Sequence, residues 1–208
     1  MRHAHRVIGL AAVVLATTSC GNVATSSRAP AYLIIDNLTG ASGANPSTFG
    51  NPVTSDVLTL VTKGGTCTVA APCPTYFNDL GQAILRLALK DVGTTATPNA
   101  PTSNNEITIS QYHVDYQRAD GRNTQGVDVP FAFDNGLTAT VPAAGNVTVA
   151  FELVRNNAKK EAPLVQLVTN TGIINTIANV TFYGADRAGN AVSVTGHIAV
   201  NFGNFGDP

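Results

Sequence analysis

Segments in which apolar and polar residues alternate recur along most of this chain, and they favour a fold built from β-strands. In the clearest segment, Val147, Val149, Phe151 and Leu153 alternate without a fault. A period of two places such residues on one face of a strand, where they can be buried together. About nine candidate segments occur, separated by stretches rich in Gly, Pro, Asn and Ser, and this spacing predicts an all-β sandwich or barrel.

Most of the predicted strands are unambiguous, but the segment 82–92 is open to two interpretations. Its leucines alternate with Arg, Ala and Lys, yet Leu, Ala and Arg are also good helix formers. We interpret it as a strand because Gly residues flank it. A crossover over 157–169 is expected to hold a short helix starting near Ala162 and Pro163, since Pro is tolerated in a first turn. The predicted strands cover residues 31–38, 56–62, 82–92, 106–116, 127–133, 137–141, 147–153, 177–183 and 191–202.

Two local signals refine the strand pattern. Ile107 and Ile109 have one parity whereas Tyr112 and Val114 have the other, so a β-bulge is predicted near Ser110. The residues DNG at 134–136 predict a tight turn between two strands.

The N-terminus carries an export signal. Arg2 and Arg6 flank a positive region, an apolar run spans residues 7–16, and small residues precede Cys20 and Gly21. This arrangement resembles the lipobox of bacterial lipoproteins, in which the signal is cut before the cysteine and the cysteine receives acyl chains, palmitate among them. The alternative is an ordinary secretory signal with a chance cysteine. A membrane-spanning helix is excluded, because the run falls well short of the ~20 apolar residues that a bilayer requires.

The resulting organisation is one folded domain on a lipid tether. We expect a signal peptide over 1–19, a lipidated Cys20 with a flexible tether over 20–30, a single β-sandwich domain over 31–204 and a C-terminal tail over 205–208. The predicted location is the outer membrane or cell surface, on the periplasmic or extracellular face. Charged residues make up only 12% of the chain and the formal net charge is −1. No basic face is available, so a nucleic-acid partner is not expected.

Cysteine usage agrees with export. Once Cys20 is lipidated, Cys67 and Cys73 remain as an even pair, for which a disulfide is the default outside the cytoplasm. A zinc site is the rival interpretation, but two thiols without a nearby third or fourth ligand cannot close a zinc shell. We expect no cofactor and no metal. Calcium at the turns of Asp120 and Asp186 is the weaker alternative, since neither turn has the dense acidic spacing of a dedicated loop.

The segment VTFYGADRAGNAVSVTG resembles the last hairpin of bacterial immunoglobulin-like and fibronectin-type-III-like surface domains. Within its turn, Asp186 can accept hydrogen bonds from backbone amides, and Gly189 and Asn190 are residues that accept positive φ. The mature chain as a whole also resembles uncharacterised bacterial lipoproteins. These resemblances imply an immunoglobulin-like antiparallel β-sandwich of about seven to nine strands with one short crossover helix, and they imply no activity.

Nothing in the sequence predicts an enzyme. His113 and His197 lie in strand patterns without a nucleophile motif nearby, and Glu106, Glu152 and Glu161 are scattered rather than paired. The predicted function is therefore a non-enzymatic binding or assembly module anchored by its lipid. The alternatives are an envelope hydrolase with a loop-built site and a purely structural surface protein.

One end of the sandwich is the candidate interaction site. If connections alternate between the two ends, the disulfide loop and the turn RADGRNTQG share one end, and the loops at 39–55 and 93–105 share the other. A rigid aromatic beside arginine is typical of interaction hot spots. The competing interpretation is that the aromatic residues simply plug the end of the sandwich. The partner is expected to be an unknown envelope protein or glycan, and the candidate residues are Tyr76, Phe77, Arg118, Asp120 and Arg122.

Overall fold

The structure, a computed structural model, describes residues 28–206. The predicted signal peptide, the lipidation site Cys20 and most of the tether lie outside the described residues. No helix within residues 28–206 is long and apolar enough to span a membrane.

The described chain is predominantly β, with ten strands in three sheets. A three-stranded sheet has the order β1–β5–β8, and a five-stranded sheet, curled like half a barrel, has the order β2–β10–β9–β6–β7. All strand pairs are antiparallel except β2 with β10. The strands are β1 (Ala31–Ala41), β2 (Val53–Asp56), β3 (Thr59–Val61), β4 (Cys73–Thr75), β5 (Asp79–Leu89), β6 (Ile107–Gln117), β7 (Phe133–Val141), β8 (Val147–Val154), β9 (Ile174–Asp186) and β10 (Ala191–Gly203).

The core lies between the two larger sheets. Strand β5, and β9 from Thr176 to Phe182, bury every second side chain, as the period-two pattern requires. A cluster of three aromatic rings joins the two sheets at the centre of the core. The centroid of the Phe151 ring lies 5.2 Å from that of Tyr112 and 5.3 Å from that of Phe182, and both contacts are edge-to-face. These contacts hold β8 of one sheet against β6 and β9 of the other.

Several sequence predictions are confirmed. Residues 82–92 fall largely within strand β5, and the bulge near Ser110 is present as a register shift between Ile109 and Gln111. Cys67 and Cys73 form a disulfide with a Cα–Cα distance of 5.3 Å. In the last hairpin, Asp186 accepts hydrogen bonds from the amides of Ala188 and Asn190, and positive φ occurs at Gly189, with a value of +82°, but not at Asn190.

Three other predictions are wrong. The strand expected over 56–62 is two strands, β2 and β3, because the chain leaves the five-stranded sheet after Asp56 to form the β3–β4 hairpin. The turn expected at 134–136 lies inside β7, because the bulge lets this strand continue: Ile109 pairs with Ala139, but Gln111 pairs with Gly136. The strand expected at 127–133 therefore begins only at Phe133.

The crossover and most connections gather at one end of the sheets, which we call the crossover end. Its two 3-10 helices, Ala158–Lys160 and Leu164–Val168, replace the single short helix that was expected. The loop after β1 also lies here, because Ala41 pairs with Leu80 near the start of β5. The loops at 39–55 and 93–105 therefore do not share an end. The first lies beside the β3–β4 hairpin, which carries the disulfide and is called the disulfide hairpin below, and the second follows the far end of β5.

Candidate functional site

The arginine-rich turn that follows β6 is organised around one carboxylate. Arg118 donates from Nε and Nη2 to the two oxygens of Asp120, at 3.1 and 2.6 Å. Arg122 donates from Nε and Nη2 to Oδ2 of the same residue, at 3.0 and 2.8 Å. The bonds from Arg118 and then those from Arg122 hold the pKa of Asp120 well below its ordinary value. The turn is therefore a hydrogen-bonded unit with both guanidinium groups held in place.

Local sequence explains this geometry. Gly121 has a φ of +80°, a conformation that most side chains disfavour, and this lets the chain reverse between the two arginines. The amide of Arg122 donates to Asp120, and the amide of Arg118 donates to the side chain of Asn123 at 2.7 Å. Such side-chain to backbone bonds are typical of Asx turns.

A shallow groove of about 210 Å³ lies against this turn. We call it the arginine groove; it is lined by Arg118, Ala119, Asp120, Ile173 and Asn175. Ile173 is 55% exposed, and Ile177, further along β9, is 45% exposed. Exposed isoleucine beside fixed guanidinium groups combines apolar contact area with charged donors, which is the combination found at protein interaction sites.

Sequence reasoning missed Ile173, Asn175 and Ile177. A signal was nevertheless present for Ile177. Ala178, Val180 and Phe182 face the core, so residues of the other parity face solvent. An isoleucine at a solvent-facing position of a strand is an exception to the alternating pattern, and this exception pointed to the surface beside the groove.

The two predicted aromatic residues lie between the disulfide hairpin and β5. Both are half-buried, so neither plugs the end fully nor stands free in solvent. The Tyr76 ring lies under the ammonium group of Lys160, with Nζ 5.4 Å from the ring centroid. Phe77 packs so closely on the loop after β1 that a side chain at Gly43 would collide with its Cβ atom. Neither ring lines the arginine groove, which is formed by the arginine turn and the start of β9.

Tyr76 and the arginine turn nevertheless lie at the same end of the sheets. The hydroxyl of Tyr116, next to the end of β6, donates to the carbonyl of Leu153 at 2.6 Å. Leu153 precedes Val154, which pairs with Asp79 at the start of β5. The end of β6 and the start of β5 therefore meet at the crossover end.

A buried charged cluster lies under the same end. Lys159 Nζ lies 2.8 Å from Asp79 Oδ1, and both side chains are almost completely buried. The ammonium group also donates to the backbone carbonyl of Asp56 at 2.8 Å, while Ser55 and the amide of Gly43 donate to the Asp79 carboxylate. Burial raises the pKa of Asp79 although the Lys159 ammonium group opposes this shift.

The two histidines and Glu152 contact polar side chains of other segments. His113 Nδ1 lies 2.9 Å from Asp134, and His197 Nδ1 lies 2.7 Å from Asn179. Glu152 accepts from Asn78 at 2.6 Å. Among residues 28–206, no group of three or more His, Cys, Asp or Glu side chains is arranged to hold a metal ion.

Comparison of the chain with protein-family models, curated proteins and solved structures found no match.

Proposed function

We propose that this protein is a lipid-anchored, non-enzymatic binding module of a bacterial cell envelope. The anchor is Cys20, whose sequence context resembles a lipobox. Two or more acyl chains give stable membrane attachment, which a single chain does not. The tether over 20–30 then holds the domain away from the bilayer by up to ~35 Å if fully extended.

We also propose that the domain is immunoglobulin-like. The order β1–β5–β8 corresponds to strands A, B and E of that fold, and the neighbours β10–β9–β6 correspond to G, F and C. β7 beside β6 then takes the place of the additional C′ strand of variable-type domains. The tightly hydrogen-bonded turn of Asp186, which matches the sequence resemblance in the last hairpin, supports the same assignment.

The observation that carries the binding function is the arginine groove. Asp120 fixes the guanidinium group of Arg118, which lines the groove, and that of Arg122 in the same turn, so a partner would order few side chains there on binding. Ile173 and Ile177 supply apolar area that a partner would remove from water. We expect a protein or glycan of the envelope to contact this groove with acidic or hydroxyl groups beside an apolar patch.

Affinity capture from envelope fractions tests the proposal when matched arginine variants are compared. Arg122→Ala should weaken capture of the partner, whereas Arg187→Ala should not. Arg187 is a suitable control because it is similarly exposed and is paired with Glu106 in the turn at the other end of the sheets. Equal capture by wild type and Arg122→Ala would contradict a function for the groove.

A further inference from the structure

Lys159 and Asp79 form a buried site that the proposed binding function does not use. Lysine is almost never fully buried unless it is paired. Here Lys159 is 0% exposed, and its partner on β5, 80 positions earlier in the chain, is also 0% exposed. Removing two charges from water is costly, so such a pair calls for either a structural or a chemical explanation.

The contacts around the pair arrange a nucleophile against an electrophile. The backbone carbonyl of Asp56 accepts from Lys159 Nζ and orients it, and Nζ lies 2.8 Å from Asp79 Oδ1. Because Cγ is bonded to Oδ1, the nitrogen lies beside the carbon that it would attack, and attack requires these two atoms to be about 3–3.5 Å apart. We propose that Lys159 and Asp79 condense in the folded protein to form an intramolecular amide cross-link.

Donors to both carboxyl oxygens favour this reaction. The amide of Gly43 donates to Oδ1 at 2.7 Å, which is where negative charge develops when Nζ attacks the carbonyl carbon. The Ser55 hydroxyl is hydrogen-bonded to Oδ2, the oxygen that leaves. Gly43 cannot carry a side chain, because a Cβ there would lie 2.3 Å from the Asn78 carbonyl oxygen. The close approach of this amide therefore requires glycine.

The step balances without any further reactant. One proton passes from the ammonium group to the carboxylate, which gives a neutral amine and a neutral acid. Nζ forms a bond to Cγ, the bond from Cγ to Oδ2 breaks, and a second proton from the nitrogen leaves with Oδ2 through the Ser55 hydroxyl. The products are one amide and one water, with no change in oxidation state. Burial favours the neutral pair from which the reaction starts, as the raised pKa of Asp79 indicates.

The cross-link would join the crossover covalently to the start of β5. Lys159 lies in the 3-10 helix Ala158–Lys160, and the following segment leads to Ile173 in the arginine groove. The bond would therefore stabilise the end of the domain that carries the groove. The inference does not depend on the groove being a binding site.

Peptide mapping of the full-length protein tests this inference. After reduction and exhaustive digestion with trypsin, cleavage at Lys63, Arg86, Arg155 and Lys160 yields the segments 64–86 and 156–160. We expect these two segments to be joined, with a mass equal to their sum less one water and with no cleavage after Lys159. Lys160→Arg is the matched control: trypsin still cleaves after position 160, so the linked species should persist, with its mass raised only by the difference between Arg and Lys. Lys159→Arg, which keeps the positive charge, should release segment 64–86.

Two results would overturn the proposal. One is recovery of segment 64–86 on its own from the wild-type protein, with the other segment cleaved after Lys159. The other is a linked species that persists in Lys159→Arg, because it would then involve a different residue. The wild-type measurement decides the question even if a variant fails to fold.

Discussion

Removal of Asp79 should destabilise the domain more than any surface substitution. In Asp79→Ala, Lys159 keeps only the carbonyl of Asp56, and the donors Ser55 and Gly43 lose their acceptor. Removing one partner of a buried ion pair costs about 3–5 kcal/mol, and the two additional orphaned donors place this variant near the upper value. Loss of the amide cross-link proposed above would add to this cost. Such a loss is a large share of the roughly 5–15 kcal/mol by which domains are stable.

Thermal unfolding followed by circular dichroism measures this effect, with the full chain carrying Cys20→Ala to avoid lipidation. At roughly 2–4 °C per kcal/mol for a domain of this size, Asp79→Ala should lower the Tm by about 10–20 °C. Asp36→Ala is the matched control, because Asp36 pairs with Arg86 at 2.7 Å on the surface. An exposed pair contributes about 0–1 kcal/mol. If Asp79→Ala lost no more stability than Asp36→Ala, our account of the buried cluster would be refuted.

Three further predictions concern the anchor, the core and the last hairpin. Cys20→Ala should move the protein from membrane to soluble fractions or block its processing; unchanged fractionation and mobility would contradict lipidation. Gly81→Ala should cost about 1–3 kcal/mol in thermal unfolding, because a Cβ there would lie 2.3 Å from the buried Phe151 ring, whereas Gly136→Ala, with open space around it, should be nearly neutral. Asp186→Ala should cost about 1–3 kcal/mol at neutral pH because three donors lose their acceptor. Burial acts to raise the pKa of Asp186, but hydrogen bonds from the side chain and backbone of Asn190 outweigh it and lower that pKa. The stability difference from wild type should therefore shrink as the pH falls below the ordinary value of 3.8, and a constant difference would count against this explanation.

The alternating strands and the change of parity in β6 could be predicted from the sequence, whereas the local turn signal at 134–136 was misleading because the pairing of β7 with β6 continues through it. The alternation through Phe151 and the change of parity near Ser110 depend on neighbouring residues, so each was visible without knowledge of the fold. The sequence did not predict that the chain leaves the five-stranded sheet after Asp56 and enters the β3–β4 hairpin. A continuous apolar run does not show which sheet each part of it joins.

The candidate sites also differ in whether their residues are close in sequence, and this decides how far each could be predicted. The arginine turn is local in sequence and was predicted, with Gly121 and Asp120 placed where such a turn needs them. Ile173 belongs to a different segment, and only the tertiary fold brings it to the turn. Lys159 stands in NAKKE, a stretch that on its own indicates a solvated surface. Its burial depends on Asp79, 80 positions away, and no local pattern encodes that contact.

Photo-cross-linking in intact cells tests the central claim most directly. A photoreactive amino acid at position 173 would lie in the arginine groove, and one at position 92 would follow β5 at the opposite end. Both positions are well exposed, at 55% for Ile173 and 69% for Val92. We predict a discrete adduct with an envelope component from position 173, lost in Arg122→Ala, and no such adduct from position 92. No adduct from position 173, or the same adducts from both positions, would contradict a binding function for the groove.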